Sequence, residues 1–386
     1  MARKADGARG KSLGVGLVGT GFMGRAHANA WRQAPCFFDL KPRPVLQAVA
    51  GTRVAPTRAF AERWEVARAS TDWKSLLRDP KVQLVDVLTP NHLHAPVAIA
   101  ALKAGKHVAC EKPLAGSLED ARAMAVAAAA AQGRTFVWFN YRRCPAIGLA
   151  RQLVQEGRLG TIRQVRARYL QDWGGAATPM AWRFDAKLAG SGAHGDLNAH
   201  LVDLVRFTTG MEIAEVCGAI EATFVKSRRA GARTSASTVD DAMLFLARLA
   251  NGATASFEAT RLATGNQNAN QLELNGTKGS VRFDFERMNE LEWWDHALPA
   301  RERGWSRIMC TDASHPWVGA YWPAAHLIGY EHAFTSMAAD IARALAGEKP
   351  LLPLPDFGDA FRTQCVLHAA TVSARERRWV QPSEFA

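Results

Sequence analysis

Short apolar runs alternate with helical patterns in the first third of the chain. The runs predicted to be buried strands are Val15 to Val18, Val45 to Ala50, Val82 to Leu88, Val108 to Cys110 and Thr135 to Phe139. Apolar residues at helical spacing lie between them, at Ala55 to Trp64, Ala95 to Ala104 and Ser117 to Ala131. This alternation predicts an α/β domain whose parallel sheet is covered by helices on both faces.

The pattern changes between Asn140 and Pro145. After a helix predicted around Ile147 to Glu156, apolar and polar residues alternate over longer segments, at Ile162 to Trp173, Val216 to Val225, Ala242 to Leu249, Ala253 to Arg261 and Gln271 to Phe285. A turn signal at residues 275–279 interrupts the last segment. We therefore expect a first domain over residues 13–140 and a second over residues 141–386, whose antiparallel or mixed sheet packs on helices. The basic residues 1–12 are expected to form a disordered arm.

Composition argues against several classes of protein. Of the 386 residues 48% are hydrophobic and 22% are charged, and no apolar run is long enough to cross a bilayer. The start of the chain lacks the apolar stretch of a secretory signal, so we expect a cytoplasmic protein. The six cysteines are scattered without a Cys-x-x-Cys pair, which argues against a disulfide framework and a zinc knuckle.

The formal net charge of +12 suits either nucleic acid or an anionic small ligand. The basic clusters are far apart in sequence, at Arg142-Arg143, Lys226 to Arg229 and Arg375 to Arg378. No helix-turn-helix or zinc-finger spacing accompanies them, which favours the small ligand. A DNA-associated regulator is the non-enzymatic alternative, and strong salt-dependent DNA binding would support it.

Three glycines follow the first predicted strand at the spacing G-x-G-x-x-G. Gly19, Gly21 and Gly24 follow that strand directly and precede a predicted helix. Glycines there permit a tight turn, close approach of the backbone to a pyrophosphate and close packing of helix on strand. The helix N-terminus also offers free N–H groups to the anion. The motif therefore predicts a dinucleotide site.

The residues at the end of the second predicted strand indicate whether the site accepts NAD or NADP. A site selective for NAD carries an acid at this point for the adenosine 2′-hydroxyl, but this sequence has Gly51, Thr52 and Arg53. A hydroxyl and a guanidinium tolerate a 2′-phosphate, so NADP or mixed use is expected as well as NAD. Alternatively, Arg53 is a surface charge and the site binds NAD.

A lysine lies where ligands bind in open α/β sheets. Lys112, in the sequence Glu111-Lys112-Pro113, follows a predicted strand and so lies at the carboxyl edge of the parallel sheet. There it can stabilise negative charge that develops on a substrate oxygen. The alternative is a surface lysine held by Glu111.

The second domain supplies an acid-base pair. Asp196, His200 and Asp203 are spaced four and three residues apart, so they share one face of a helix. An imidazole beside a carboxylate can accept and release a proton near neutral pH. The alternative is a capped helix in which His200 makes an ordinary polar contact.

Together these motifs resemble the glucose-fructose oxidoreductase/inositol dehydrogenase/rhizopine catabolism (Gfo/Idh/MocA) family. The glycine loop, Thr89-Pro90-Asn91, Glu111-Lys112-Pro113 and Asp196-x-x-x-His200-x-x-Asp203 occur in the family's order. The resemblance implies an N-terminal Rossmann domain with a doubly wound parallel sheet and a C-terminal α/β domain with a large open, mostly antiparallel sheet. It also implies a homo-oligomer, dimer or tetramer, formed through the C-terminal sheet.

The resemblance also assigns roles to residues. His200 would take the hydroxyl proton, Lys112 would steady the alkoxide, and Asp196 would orient the substrate and relay the proton. The residues expected to bind NAD or NADP are Gly19, Gly21, Phe22, Met23, Gly24, Thr52, Arg53, Thr89, Asn91, His94, Glu111 and Lys112.

The second domain is rich in tryptophan, with seven of the chain's 12 between residues 173 and 322. Flat apolar faces beside polar groups suit sugar rings, although any one of these tryptophans can equally be a core or interface residue. The predicted substrate-binding residues are Tyr141, Arg142, Trp173, Arg183, Asp196, His200 and His326. No metal is expected, because the histidines lack a carboxylate or cysteine at ligand spacing.

We therefore expect an NAD(P)-dependent dehydrogenase that oxidises a secondary hydroxyl of a sugar, a glycoside or anhydrosugar, or an inositol to a ketone. The alternative enzyme is a glycosidase that uses bound NAD for transient oxidation and elimination, as a branch of the family does. It would release sugar with no net change in nicotinamide absorbance. The expected partners are a small-molecule polyol or sugar and further copies of the chain, with no nucleic acid and no membrane.

Overall fold

The computed structural model describes residues 12–386. The predicted arm, residues 1–12, therefore lies outside the described residues except for Ser12, which begins the first strand.

The first sheet contains six parallel strands. In chain order they are β1 (Ser12–Val18), β2 (Arg43–Ala50), β3 (Ala69–Ser70), β4 (Leu84–Val87), β5 (His107–Cys110) and β6 (Thr135–Val137). The helices between them and around them are α1 (Phe22–Phe37), α2 (Val54–Trp64), α3 (Lys74–Leu77), α4 (His94–Lys103) and α5 (Leu118–Ala130). The strand order is β3-β2-β1-β4-β5-β6, with parallel pairing throughout. This is the doubly wound Rossmann arrangement, and the predicted fold of this part is confirmed.

The centre of this sheet is apolar on both faces. Val15 and Leu17 of β1 and Val85 of β4 are each 0% exposed, as expected for strands with helices on both sides. The strand order reverses between β1 and β4, so the loops that follow these strands diverge. They leave a crevice at the carboxyl ends of the strands, where ligands bind in this fold.

The rest of the chain forms a hairpin and a second sheet. Its strands are β7 (Ile162–Leu170), β8 (Ile213–Ala222), β9 (Ser227–Ala230), β10 (Arg233–Ala236), β11 (Ala242–Leu249), β12 (Thr254–Thr260), β13 (Ala269–Gly276), β14 (Gly279–Asp284), β15 (Glu290–Asp295) and β16 (Ser306–Met309). β9 and β10 form the hairpin, and the other eight have the order β16-β15-β14-β13-β7-β12-β11-β8. β7 and β12 pair in parallel and the other neighbours pair antiparallel. The mostly antiparallel sheet and the turn between β13 and β14 are confirmed.

One face of the eight-stranded sheet packs on helices. The helices of this part are α6 (Pro145–Gln155), α7 (Ala186–Ala189), α8 (Ala199–Thr209), α9 (Tyr330–Leu345) and α10 (Phe357–Glu376). α6, α8 and α10 lie against the sheet, and β11 buries Met243 and Phe245. The alternate residues Leu244 and Leu246 are exposed. This alternation is typical of a strand with one covered face.

The last two helices pack on the first part of the chain. α9 lies against α1, and α10 lies against α5. Beside α10, the backbone N–H of Val137 donates to the carbonyl of Pro355 at 2.8 Å, so the chain covers the edge strand β6. The sequence patterns predicted neither these helices nor β15 and β16. The division at residue 140 remains a prediction.

Within residues 12–386, no helix is both long and apolar enough to cross a membrane. The six cysteines are free thiols. In the same stretch, no group of three His, Cys, Asp or Glu side chains is arranged to hold a metal ion.

Candidate active site

A cleft of about 990 Å³ is lined by residues from both parts of the chain. The carboxyl ends of β1, β2, β4 and β5 contribute one set of lining residues, and β7, α8 and the loops near them contribute the other. The predicted site residues that line it are Gly19, Gly21, Phe22, Met23, Thr52, Thr89, Asn91, His94, Glu111, Lys112, Tyr141, Trp173, Arg183, Asp196 and His200.

The glycine loop fits the pyrophosphate of a dinucleotide. Gly19 has a φ of 128°, which favours glycine, and a Cβ at Gly24 would lie 2.6 Å from the carbonyl oxygen of Gly19. Gly24 therefore permits close packing of α1 and does not itself line the cleft. A Cβ at Gly21 would meet open space. Among the described residues no side chain caps α1, and its first turn holds no acid, so its N–H groups are available to an anion.

The end of β2 presents a hydroxyl to the cleft and no acid. Gly51 and Thr52 line it, whereas Arg53 is exposed outside the lining, and the contact of Arg53 with the coenzyme stays a prediction. The carboxylates in the described cleft wall are Glu111 and Asp196, and neither belongs to β2. These residues fit either NAD or NADP.

Three buried polar atoms of cleft-lining residues lack a hydrogen-bond partner among residues 12–386. They are Thr89 Oγ1, Asn140 Nδ2 and Arg261 Nε. A buried donor or acceptor without a partner costs about 1–3 kcal/mol. A ligand that supplies the missing hydrogen bonds removes that cost, and the hydroxyls and amide of a nicotinamide riboside have the required groups.

Asn91 and His94 line the cleft but direct polar atoms at the protein backbone. Asn91 Nδ2 donates to the carbonyl of Ala189 at 2.8 Å. The two ring nitrogens of His94 lie 3.0 Å from the carbonyl oxygens of Pro113 and Thr89, and burial lowers the pKa of the ring. In this arrangement His94 joins the loops that follow β4 and β5.

Lys112, Asp196 and Arg261 form an ion-pair cluster in the cleft. Lys112 Nζ lies 2.6 Å from Asp196 Oδ1 and 3.0 Å from the Asp196 carbonyl oxygen. The other carboxylate oxygen, Oδ2, accepts a hydrogen bond from Arg261 Nη2 at 2.7 Å. Lys112 follows β5 and Arg261 follows β12, so the cluster joins one strand end from each sheet.

A π-helical turn positions Asp196. The turn spans His194–Asn198 and leads directly into α8. Its start is fixed by Asp240, whose carboxylate accepts hydrogen bonds from the backbone N–H groups of Gly192 at 2.6 Å and His194 at 2.7 Å. Single π turns inside helices occur frequently at functional sites.

The charges in the cluster set the protonation of its neighbours. Burial raises the pKa of Asp196, but the positive charges of Lys112 and Arg261 outweigh this, and the pKa lies well below its usual range. Burial lowers the pKa of His200, and Lys112 lowers it further, to well below the usual value. A neutral imidazole can accept a proton, whereas a firmly ionised carboxylate is a poor proton acceptor. In the cleft His200 is therefore a neutral imidazole and Asp196 an ionised carboxylate, and their expected roles as base and as proton relay remain predictions.

Aromatic rings surround His200. Its ring centroid lies 4.4 Å from that of Tyr141 and 5.9 Å from that of Tyr169. The two tyrosine hydroxyls are 2.8 Å apart, and Tyr169 also donates to Asn268 Oδ1 at 2.6 Å. Gln171 Nε2 donates to the same amide oxygen at 2.9 Å. One wall of the cleft therefore offers hydrogen-bonding groups on an aromatic surface, which suits a polyhydroxylated ring.

Trp173 and Arg183 extend this wall. Trp173 Nε1 donates to Gln171 Oε1 at 2.6 Å, and the guanidinium of Arg261 lies 5.1 Å from the tryptophan ring centroid. The guanidinium of Arg183 lies 4.4 Å from the ring centroid of Trp182. Both predicted residues are thus beside the ion-pair cluster.

Sequence reasoning missed several residues of this wall. They are Asn140, Tyr169, Gln171, Arg261 and Asn268. Asn140 and Arg261 lie at or just beyond the end of a predicted strand, and Tyr169 and Gln171 lie inside one, which was the available signal. The face on which each side chain lies depends on strand pairing, which the sequence alone does not give.

Besides Gly24 and Arg53, the structure places three candidates outside the lining of the cleft. Arg142 is 3% exposed, and its guanidinium pairs with Asp203 at 2.8 Å and with Asp359 at 2.6 Å, so it is directed away from the cleft in which its substrate contact is predicted. Asp203 faces this arginine and does not extend the acid-base pair. His326 is exposed, and its Nδ1 lies 2.9 Å from the carbonyl oxygen of Pro323. It does not line the cleft, and its substrate contact stays a prediction.

Known proteins resemble this chain over nearly its full length. Levoglucosan dehydrogenase of Pseudarthrobacter phenanthrenivorans is 38% identical over 393 residues, which cover 97% of this chain and 100% of the relative. The 1,5-anhydro-D-fructose reductase of Ensifer adhaerens is 34% identical over 227 residues, 58% of this chain and 63% of the relative. Among solved structures, an oxidoreductase domain protein from Kribbella flavida matches with a TM-score of 0.93 at 49% identity and covers 96% of this chain and 99% of that chain.

A solved structure of levoglucosan dehydrogenase in complex with NADH and levoglucosan matches with a TM-score of 0.92 at 38% identity, covering 96% of this chain and 99% of that chain. Two family models also match. Residues 13–140 match the oxidoreductase family with an NAD-binding Rossmann fold, and residues 147–282 match the GFO/IDH/MocA C-terminal domain. The chain therefore belongs to the GFO/IDH/MocA family of oxidoreductases.

Proposed function

We propose that the chain is an NAD(P)-dependent dehydrogenase that oxidises a secondary hydroxyl of a sugar, an anhydrosugar or glycoside, or an inositol to a ketone. The observation that carries this proposal is the 2.6 Å contact between Lys112 Nζ and Asp196 Oδ1. It occurs beside a neutral His200, in the same cleft as the glycine loop.

The side chains in the cleft have distinct roles in this reaction. Bound NAD(P) would accept the hydride. His200 accepts the proton of the substrate hydroxyl at a ring nitrogen. Among residues 12–386 the imidazole has no hydrogen-bond partner that would occupy this nitrogen. Lys112 directs two of its three N–H bonds at Asp196 and stabilises the developing alkoxide with the third. Asp196 fixes the ammonium in that direction.

The substrate class is supported by the cleft wall and by the relatives. The row from Tyr141 through Asn268 offers hydroxyl and amide groups on an aromatic surface. The relatives are named for levoglucosan and 1,5-anhydro-D-fructose, and a Thermotoga maritima relative that is 27% identical is named for myo-inositol. Levoglucosan is therefore the first substrate to test.

A substrate screen tests the proposal. The purified chain is incubated with levoglucosan, inositols, hexoses and glycosides, each with NAD and NADP separately, and nicotinamide absorbance is followed. We expect reduction of the coenzyme by at least one of these, abolished in Lys112→Met and His200→Ala and retained in the exposed-histidine control His326→Asn. Release of free sugar from a glycoside without net coenzyme reduction would instead identify the glycosidase.

We propose that both NAD and NADP are accepted, because the end of β2 offers Thr52 and no carboxylate. The variant Thr52→Asp introduces the charge that repels a 2′-phosphate. We expect it to reduce kcat/KM with NADP by at least about tenfold and to leave NAD within about twofold. A wild-type enzyme that already rejects NADP would contradict this part of the proposal.

We also propose that the open face of the eight-stranded sheet binds a second copy of the chain. Ile220, Leu244 and Leu246 are 62%, 38% and 53% exposed on this face. Charges of both signs, including the pair Arg166 and Glu273, lie on the same face. A surface that carries apolar residues together with positive and negative charges can be self-complementary about a twofold axis.

Light scattering after size-exclusion chromatography tests this interface. We expect a mass above that of one chain, and a shift to the monomer in Leu246→Arg. The control Leu327→Arg alters a leucine that is 63% exposed in a loop outside this sheet. A monomeric wild type would contradict the proposal.

A further inference from the structure

A buried imidazole lies between two carboxylates behind Lys112. His27 of α1 is 0% exposed, and its Nδ1 lies 3.0 Å from Asp86 Oδ2. Its Nε2 lies 2.9 Å from Glu111 Oε1. Neither His27 nor Asp86 lines the cleft, so this cluster is separate from the groups that would touch the substrate.

Hydrogen-bond donors fix the charge of the cluster. Asp86 also accepts hydrogen bonds from the indole N–H groups of Trp31 at 2.7 Å and Trp138 at 2.8 Å, so its carboxylate is ionised. A neutral imidazole donates through one nitrogen only, yet both nitrogens of His27 face a carboxylate. A further proton therefore lies on His27 or on Glu111. Either way, the three side chains together carry one uncompensated negative charge.

The cleft cations Lys112 and Arg261 are paired with Asp196 and not with this cluster. Burial lowers the pKa of His27, but Asp86 and Glu111 outweigh this and raise it to about 9, which puts the proton on the imidazole at neutral pH. The ion pairs of both carboxylates within the described chain are those with His27. The negative charge is thus buried at the carboxyl ends of β4 and β5.

Glu111 connects the cluster to the cleft. It is 5% exposed, it lines the cleft, and its Oε2 accepts the backbone N–H of Lys112 at 3.2 Å. His27 therefore holds the Glu111 carboxylate in the orientation that anchors the backbone of Lys112. The side chain of Lys112 in turn reaches Asp196.

We propose that His27, Asp86 and Glu111 form a buried anionic clamp that positions Lys112 and makes the cleft prefer the oxidised coenzyme over the reduced one. The oxidised nicotinamide ring is positively charged and the reduced ring is neutral, so a buried negative charge stabilises the oxidised form selectively. His27 is a positioning residue that acts through Glu111. The inference rests on the proposed function, because that function brings the nicotinamide beside Lys112.

The ratio of the dissociation constants of NADH and NAD⁺ tests the clamp without any turnover. The double variant Asp86→Asn/Glu111→Gln leaves a neutral His27 between two amides and so removes the net negative charge. In either single variant His27 donates to the one remaining carboxylate without the further proton, so one negative charge remains. We expect the double variant to shift the ratio towards NADH by about five- to tenfold, which is the effect of a unit charge about 12–17 Å away at an effective dielectric of about 20. We expect each single variant to stay within about twofold of wild type. Titration of the coenzymes by calorimetry or fluorescence supplies both constants.

A second buried carboxylate provides the matched control. Asp340 is 1% exposed and accepts hydrogen bonds from Arg143 Nε at 3.0 Å and Trp317 Nε1 at 3.2 Å, but it does not line the cleft. We expect Asp340→Asn to destabilise the protein and to leave the coenzyme ratio unchanged. His27→Gln should lower kcat while the coenzyme KM changes little. The reason is that Glu111 is no longer oriented to accept the backbone N–H of Lys112.

The possible outcomes separate the two proposals. A ratio within about twofold of wild type in the folded double variant overturns the clamp, as does an equal shift in Glu111→Gln alone or in Asp340→Asn. If the double variant does not fold, the wild type decides, because raising the pH through about 9 removes the proton of His27 and should shift the ratio further towards NAD⁺; an unmoved ratio then overturns the clamp. If the ratio shifts but no polyol is oxidised, the clamp stands and the proposed function fails. If polyols are oxidised normally and the ratio does not move, the clamp alone fails.

Discussion

Replacing Lys112 by methionine removes one ammonium and keeps most of the side-chain length. Asp196 remains paired with Arg261 Nη2 at 2.7 Å, so the variant is expected to fold. Two of the three N–H bonds of Lys112 are directed at Asp196, which leaves one for a substrate oxygen. Removal of one donor aimed at a developing oxyanion costs about 3–4 kcal/mol, so we expect kcat/KM to fall by about 10²–10³.

The same variant should change the pH dependence. Burial and the charge of Lys112 both lower the pKa of His200, and the variant removes the second of these effects. The pKa of His200 therefore rises, and a larger fraction of the ring is protonated and inactive as a base at mildly acidic pH. We expect the acidic limb of kcat/KM for oxidation to move to higher pH.

Steady-state oxidation of the substrate, followed at the nicotinamide band from about pH 5 to 9, measures both effects. Lys112→Arg keeps the charge and should preserve the acidic limb of the wild type. Lys187→Met removes an exposed lysine of α7 outside the cleft and should change neither quantity. A kcat/KM within about threefold of wild type, with an unmoved acidic limb, would refute the assigned role of Lys112.

Three further predictions concern stability and coenzyme binding. Asp203→Asn leaves the buried Arg142 with one carboxylate fewer, so we expect a loss of about 3 kcal/mol in urea unfolding and unchanged kcat in the folded protein. Gly24→Ala places a methyl group 2.6 Å from the carbonyl oxygen of Gly19, so coenzyme affinity measured by fluorescence titration should fall by at least about tenfold. The pKa of His27 rises from 6.5 to about 9 on folding. Protonation of His27 therefore adds about 3 kcal/mol to the free energy of unfolding below pH 6.5, and this contribution is lost as the pH rises through 9. Urea unfolding of wild type and His27→Gln at about pH 6 and about pH 10 should show this slope in the wild type alone.

The parts of the site that could be predicted are those fixed by local geometry. The glycine loop must follow β1, and Lys112 must lie at the carboxyl edge of the parallel sheet, because the ends of parallel strands meet at one edge. The spacing of Asp196 and His200 likewise brings both to the cleft, even though the turn that carries Asp196 is a π turn. Each of these inferences needs a few consecutive residues.

The parts that were missed depend on contacts between distant segments. Arg142 lies at the junction of the two parts, but its direction is set by Asp203 and Asp359, which are far along the chain. Arg261 enters the cleft because β12 pairs with β7 in a particular register. His27 looks like an ordinary helix residue in the sequence, and its partners come from two different strands. None of these contacts leaves a periodic signal.

The hydrogen bond between Val137 and Pro355 has a consequence for biosynthesis. The Rossmann part leaves the ribosome before the second sheet, but its edge strand β6 is covered by a segment that is synthesised more than 200 residues later. Until then the half-built protein exposes an unpaired strand edge, which is a site for self-association. Nascent chains stalled before this segment should therefore depend on chaperones far more than the full-length product does.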